Sequence, residues 1–283
     1  MKAIVFLCFF CCFGILRAQK LSGTWQGLSS IQQTNASNTT SGSWIYLEMT
    51  IVKGLIDGKI RHEDYSLRQY YIYDIIGKVL PNGHLVLSET NLSAKSKNAV
   101  SFQKQQFDVE FDEKKGYLLG KSKDGKSLFT LYRAAFNIQE NTPAILTENQ
   151  LITFQQELKD GLSSPEKRLE ELKAFKFDPI YFDYGKDSLK KQYEPYLIEM
   201  IRMVKSHSDL RILITGHTDS DGSDAYNIDL SKRRAAALLR FFEANGLPKS
   251  RVEIDFKGEK EPVDRNDTPE GKQKNRRVDF RFI

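Results

Sequence analysis

Between Leu21 and Phe136 no stretch of the chain repeats its apolar residues at helical spacing; they fall in short runs broken by turn residues. Such a segment must pair its backbone N–H and C=O groups between strands, so the region is predicted to be all-β. About eight strands are legible: Ser22 to Ser29, Ser43 to Lys53, Ile56 to Glu63, Gln69 to Leu80, His84 to Glu89, Ser101 to Phe111, Tyr117 to Lys121 and Ser127 to Arg133. Asp57-Gly58, Asn82-Gly83 and Asp124-Gly125 are the strongest hairpin signals, because these pairs tolerate positive φ. Short antiparallel strands in this number predict a small closed barrel, which leaves no free edge; a two-sheet sandwich is the alternative. A lipid-facing barrel needs strands of about 9 to 11 residues with an apolar outer band. The strands here read as mostly shorter, and polar stretches at Arg61 to Asp64 and Gln103 to Gln106 interrupt them.

Met1 to Ala18 has the form of a secretory leader: a basic residue at Lys2, an apolar run from Ala3 to Leu16, and a small residue at Ala18. The run is too short to span a hydrocarbon core, which takes roughly 20 helical residues. All three cysteines, Cys8, Cys11 and Cys12, lie within it, so cleavage after Ala18 leaves a chain without thiols. Leu7 and Phe10 precede Cys8 and Cys11, where a lipid-anchor site needs a small residue, so no lipid anchor is expected. The formal charge of +5 falls when Lys2 and Arg17 leave with the leader. Mild basicity suits an acidic wall polymer and gives no argument for nucleic acid.

With 40% apolar and 28% charged residues, the 283-residue chain reads as two domains. The β region spans residues 19 to 136. From Asn137 to Lys176 the composition shifts to Gln, Glu, Lys and Ser, with amphipathic stretches at Leu151 to Leu158 and Pro165 to Phe175, a partly helical linker. Residues 177 to 283 alternate strand and helix in the order βαβαββ, predicting an α+β domain with a mixed sheet. Ile180 to Tyr184 reads as a strand and Ser188 to Ser206 as a helix with an apolar stripe at Leu189, Tyr193, Leu197, Met200, Ile201 and Val204. Leu210 to Gly216 follows as a strand, then a helix from Asp224 to Asn245 closed by Gly246. Val252 to Phe256 and, after a loop, Arg277 to Ile283 complete the sheet.

Two resemblances stand on these residues. Thr215-Gly216-His217-Thr218-Asp219-Ser220-Asp221-Gly222 runs on through Asn227, Leu230-Ser231-Lys232-Arg233-Arg234-Ala235, Gly258-Glu259, Pro262, Asn266, Thr268, Gly271 and Asn275-Arg276-Arg277-Val278. Over about 105 residues this order and spacing resembles the OmpA-like peptidoglycan-binding domain. In the β region, Gly23-Thr24-Trp25 is similar to the Gly-x-Trp that opens a lipocalin-like barrel, with Arg133 placed to lie over the tryptophan.

The first resemblance implies that Asp219 and Arg234, fifteen positions apart, hold diaminopimelate of the peptide stem. The chemistry of the residues agrees. Diaminopimelate carries a free ammonium and a free carboxylate on one carbon, which asks for an anionic acceptor facing a planar cationic donor. Asp219 is expected to take the ammonium and Arg234 the carboxylate through two parallel hydrogen bonds. Asn227, seven residues before Arg234, projects from the same helical face and is expected either to touch the ligand or to hold the Asp219 loop. Thr218 is a backbone-level candidate. Arg277 either reaches the site or, the favoured alternative, pairs with a carboxylate across the sheet.

Plainer roles compete with these. Asp219 can serve as a loop cap, but Asp221, Ser223 and Asp224 are equally placed to cap. Arg234 can be a surface helix residue, as its neighbour Arg233 is expected to be. His217 makes no ligand-like spacing with His62, His84 or His207, and Asp183 and Glu259 have no nucleophile pattern beside them. No enzyme, metal or cofactor is expected. The expected protein is a non-enzymatic tether in the periplasm or at the cell outer membrane, binding peptidoglycan by its C-terminal module. Its N-terminal domain is left to meet an envelope protein or, in the alternative, to carry a small apolar ligand. Trp25, Trp44, Tyr70, Tyr71 and Tyr73 then either line a pocket or fill the barrel, and filling is the commoner fate.

Overall fold

The computed structural model describes residues 18–31, 43–64, 67–97, 99, 103–136, 138, 147–207 and 209–283, and the chain divides between Lys167 and Arg168 into two units. The expected leader, Ala18 apart, lies outside the described residues, as do Asn137 and residues 139–146 of the expected linker.

In the first unit, strands β1 (Gly23–Ile31), β2 (Ser43–Val52), β3 (Leu55–Asp64), β4 (Gln69–Val79), β5 (Leu85–Lys95), β6 (Gln106–Asp112), β7 (Tyr117–Ser122) and β8 (Ser127–Arg133) form a closed antiparallel barrel. Each strand pairs with the next, and β1 closes on β8 with Trp25 opposite Arg133. The period-2 alternation of the strands sends Ile45, Leu47, Met49 and Ile51 of β2, Tyr71, Tyr73 and Ile75 of β4, and Leu85 and Leu87 of β5 into one core with Trp25, Phe107, Leu118 and Phe129. Charges at Glu48, Asp57, Asp108 and Glu110 stay exposed. Apart from the buried His62–Glu89 pair (2.6 Å), this core is apolar while the exposed face carries charge, the reverse of a lipid-facing barrel.

Two strand-level expectations need correction. β1 to β5 run 9 to 11 residues, because the polar stretch Arg61 to Asp64 continues β3 instead of breaking it. Asp57-Gly58 is no turn. The β2–β3 hairpin turns at Lys53 (φ 50°) and Gly54 (φ 81°), while Gly58 sits mid-strand where a Cβ would come 2.0 Å from Glu48 O. The missing side chain there serves close strand approach, a use of glycine that reads the same as a turn signal in sequence. Asn82-Gly83 and Asp124-Gly125 are turns as expected.

The Arg133 guanidinium lies 4.5 Å over the Trp25 ring and donates to Ser22 O (3.0 Å) and Lys20 O (2.7 Å). It thereby ties the chain entering β1 to the end of β8. Trp25 is 1% exposed, and truncating such a residue to alanine costs about 3 to 5 kcal/mol. Helix α1 (Glu148–Lys159) starts at a capping box between Thr147 and Gln150. Its Phe154 packs outside the barrel on Trp44 (5.6 Å) and Tyr132 (4.9 Å), so the first amphipathic stretch of the expected linker belongs with the barrel. Helix α2 (Pro165–Ala174) follows.

The second unit holds β9 (Ile180–Tyr181), α3 (Glu194–Lys205), β10 (Ile212–His217), α4 (Asp224–Ala244), β11 (Val252–Gly258), α5 (Pro269–Asn275) and β12 (Arg277–Phe282). The sheet order is β11-β10-β12-β9, with β10 and β11 parallel and the other pairs antiparallel, a mixed sheet. Leu197, Met200, Ile201 and Val204 of α3 and Ala235, Leu238 and Phe242 of α4 bury against Ile212, Ile214, Val278 and Phe280.

Here α3 begins at Glu194, not Ser188, because Pro195 lacks the N–H that a helix interior must donate and fits only the first turn. Helix α5 lies where a loop was expected. It opens at Thr268, whose hydroxyl accepts from Gly271 N, with Pro269 next. A capping threonine followed by proline is a helix start signal readable in the sequence, here opening a helix of only 7 residues. Among the described residues no helix is long and apolar enough to cross a membrane.

Candidate functional site

The site forms where β10 ends against α4. Gly216 is required there: a Cβ would stand 2.1 Å from Ser231 O, so only glycine lets α4 lie directly on the strand. Ser231 Oγ in turn accepts from Gly258 N (3.1 Å), and Thr218 N donates to Gly258 O (2.8 Å). These contacts bring Arg234, one turn beyond Ser231, to the carbonyl end of β10.

Arg234 is fully buried. Its Nε donates to Lys186 O (2.9 Å), Nη1 to His217 O (2.8 Å) and Nη2 to Asp183 O (3.3 Å), and its guanidinium lies 5.2 Å from the Phe182 ring centroid. Among the described residues no carboxylate comes within the 4.0 Å of an ion pair. Burial pushes its pKa down to about 10, against the upward pull of Asp219, so it remains a cation at neutral pH. The carbonyls satisfy donors but leave the charge without a counter-ion.

Asp219 is also buried, at 4% exposure, and does not pair with Arg234. Its Oδ2 accepts from Arg276 Nη1 at 2.7 Å and its Oδ1 from Asp221 N at 3.4 Å. Arg276 further donates to Phe182 O and to Gln273 Oε1. Capping of α4 falls to Ser223, whose hydroxyl accepts from Tyr226 N, so Asp219 is not needed as the cap. Asp221 is engaged by Lys272 Nζ at 2.6 Å.

Asn227 does lie on the Arg234 face of α4, fully buried, with Nδ2 donating to Glu259 Oε2 at 2.6 Å. Among the described residues its Oδ1 has no partner, and neither has the Thr218 hydroxyl. A buried polar atom left unpaired costs about 1 to 3 kcal/mol, which a ligand can recover. Arg277 turns elsewhere: Nε to Asp279 Oδ2 (2.9 Å) and Nη2 to Glu261 O (3.2 Å). His217 Nε2 lies 3.4 Å from the same Asp279 carboxylate.

The structure thus gathers Thr218, Asp219, Asn227 and Arg234 and sets Arg277 apart with Asp279. Arg276 and Glu259 were missed as site members. Both stood in the motif, but nothing in Arg276-Arg277 says which arginine faces Asp219. Chemically, the site holds the guanidiniums of Arg234 and Arg276 and the carboxylates of Asp219 and Glu259, and among the described residues Arg234 has no carboxylate within ion-pair distance, which suits a ligand that brings an anion together with donors.

A sequence model of the OmpA family matches residues 181–276. The chain is 33% identical over 103 residues to outer membrane protein A of Bordetella avium, covering 36% of this chain and 53% of that protein. It is 30% identical over 122 residues to the peptidoglycan-associated lipoprotein of Pseudomonas putida, covering 43% of this chain and 70% of that one. Among solved structures, the peptidoglycan-associated lipoprotein of Burkholderia pseudomallei is 31% identical, with 37% of this chain and 89% of that chain covered and a TM-score of 0.36. The chain spans only 12% to 53% of the length of the first curated relatives it matches. Through residues 181–276, which contain the Asp219 and Arg234 site, the chain belongs to the OmpA family.

Proposed function

We propose that residues 177 to 283 are a non-enzymatic anchor that binds the stem peptide of peptidoglycan and holds the barrel of residues 19 to 136 at the wall, in the periplasm or at the outer membrane. The observation that carries this is the buried Arg234 cation, held by three backbone carbonyls and, among the described residues, without a carboxylate in ion-pair range. A diaminopimelate end supplies what is missing: its carboxylate meets Arg234, and its ammonium meets Asp219 beside Arg276. The peptidoglycan-associated lipoproteins among the relatives, by their name, point to the same ligand class.

The barrel resembles a lipocalin in its Gly23-Thr24-Trp25 opening and in Arg133 over Trp25. Its described interior positions are taken up by side chains, so filling, not ligand carriage, is the role favoured for Trp25, Tyr71 and Tyr73.

Sedimentation of the full chain with insoluble peptidoglycan tests the anchor. Wild type is expected in the pellet, and Asp219→Ala and Arg234→Ala in the supernatant with unchanged circular dichroism. Both variants pelleting like wild type would refute it.

A further inference from the structure

We propose that Glu259 is a positioning residue that decides which atom of Asn227 the ligand meets, and so gives the site its preference for a free ammonium. The proposal rests on the reading of the Asp219 and Arg234 site given above. A terminal amide can be turned either way, with oxygen and nitrogen nearly equal in size, so its orientation is set by whatever it bonds to. An ionised carboxylate only accepts. Glu259 Oε2, 2.6 Å from Asn227, therefore requires Nδ2 on its side and turns Oδ1 the other way.

That other side is the Asp219 loop. A Cβ built on Gly222 would stand 3.8 Å from Asn227 Oδ1 and 3.1 Å from Tyr226 Cδ1, so Oδ1 lies beside the glycine of the loop that carries Asp219. Among the described residues Oδ1 is buried and unpartnered, as is the hydroxyl of Thr218, the residue before Asp219. Around the Asp219 carboxylate, which Arg276 holds at 2.7 Å, the site then offers two further oxygens, Asn227 Oδ1 beside Gly222 in the same loop and the hydroxyl of the adjacent Thr218. Three oxygens suit the three N–H donors of an ammonium. An acylated nitrogen has one N–H and no charge, and gains least from them.

Glu259 is held in turn by its place after Gly258, which adopts φ 58° and whose carbonyl and N–H are bound to Thr218 N and Ser231 Oγ. The carboxylate is thus carried by the loop that also fixes Thr218, which makes the orientation of Asn227 part of the same assembly.

The test uses the full chain and two synthetic stem peptides, both blocked at the N-terminus and ending in diaminopimelate, one with its ammonium free and one with it acetylated. Affinities come from titration calorimetry, and melting temperatures are followed in parallel. Glu259→Gln keeps a hydrogen bond to Asn227 but removes the constraint on its direction. It is expected to weaken binding of the free-ammonium peptide by roughly tenfold, the scale of one charge-assisted hydrogen bond, and to shrink the preference over the acetylated peptide. The double change Asn227→Asp with Glu259→Gln reverses the donor and acceptor, again leaves an oxygen toward Gly222, and is expected to restore the preference even where the single variant folds poorly.

Glu259→Gln keeping the wild-type preference, or the double variant failing to restore it, overturns the role of Glu259 while leaving the anchor standing. Wild type binding neither peptide overturns both.

Discussion

Arg276 Nη1 stands 2.7 Å from Asp219 Oδ2, with the two side chains only 11% and 5% exposed. Removing one partner of such a pair leaves a buried charge uncompensated, which costs more than the pair itself contributes. Arg276→Ala is therefore expected to destabilise the second unit by about 3 kcal/mol and to weaken sedimentation with peptidoglycan. Both tryptophans, Trp25 and Trp44, lie in the first unit, so the loss is best followed by amide hydrogen exchange in β10. Arg277→Ala breaks the bond to Asp279 instead and is expected to lower stability while leaving wall binding intact. An Arg277→Ala chain that folds yet stays in the supernatant would put Arg277 in the site.

Gly216→Ala places a methyl group 2.1 Å from Ser231 O, backbone that has no rotamer with which to move away. Helix α4 must then lift from β10, carrying Arg234 off His217 O. A cost of about 1 to 3 kcal/mol or more is expected, together with loss of wall binding. Gly83→Ala is the contrasting case: nothing lies within 4 Å, and only its φ of +86° is penalised. That substitution is expected to cost about 1 kcal/mol and to leave sedimentation unchanged. Equal binding by both variants would sever the link between Gly216 and the site.

Acid is expected to loosen the second unit in a defined window. Burial raises the pKa of Asp279, but the hydrogen bond with His217 and the charge of Arg277 outweigh it and hold the carboxyl below its ordinary range. Asp255 behaves likewise, with burial opposed by Lys257 and the N–H of Phe256. A carboxyl whose folded pKa lies below its unfolded one stabilises fully above the unfolded value, near 3.9, and loses that contribution as pH falls through the folded value. Urea midpoints are thus expected to stay level from neutral pH to about 5 and to fall below about 4. Asp279→Asn should flatten the fall, and an unchanged slope would show that other carboxyls carry it.

Much of the architecture was open to reading. Alternation of apolar residues located all eight barrel strands, since a period of 2 places each side chain on one face whatever the partner strand. Trp25 and Arg133 were legible as a pair through the lipocalin-like resemblance of Gly23-Thr24-Trp25. Gly58 was not. A glycine tolerated for close approach and one needed for a turn leave the same letter, and only the 2.0 Å from Glu48 O tells them apart.

In the second unit the sequence by itself determined the order of strands and helices, α5 apart, and the apolar stripes that pack them. Those follow from local periodicity, while Asp219 and Arg234 were marked by the OmpA-like resemblance and Asn227 by its place on the helical face of Arg234. Only the tertiary structure decided how the charges are shared: Asp219 with Arg276 across 57 positions, Arg234 with carbonyls up to 51 positions away, and Asn227 with Glu259 across 32. The physical reason is that the neighbours Arg276 and Arg277 point in different directions because the first caps α5 and the second opens β12. Which one turns inward is set by how the α5 segment docks against the β10 loop, a contact no local pattern encodes.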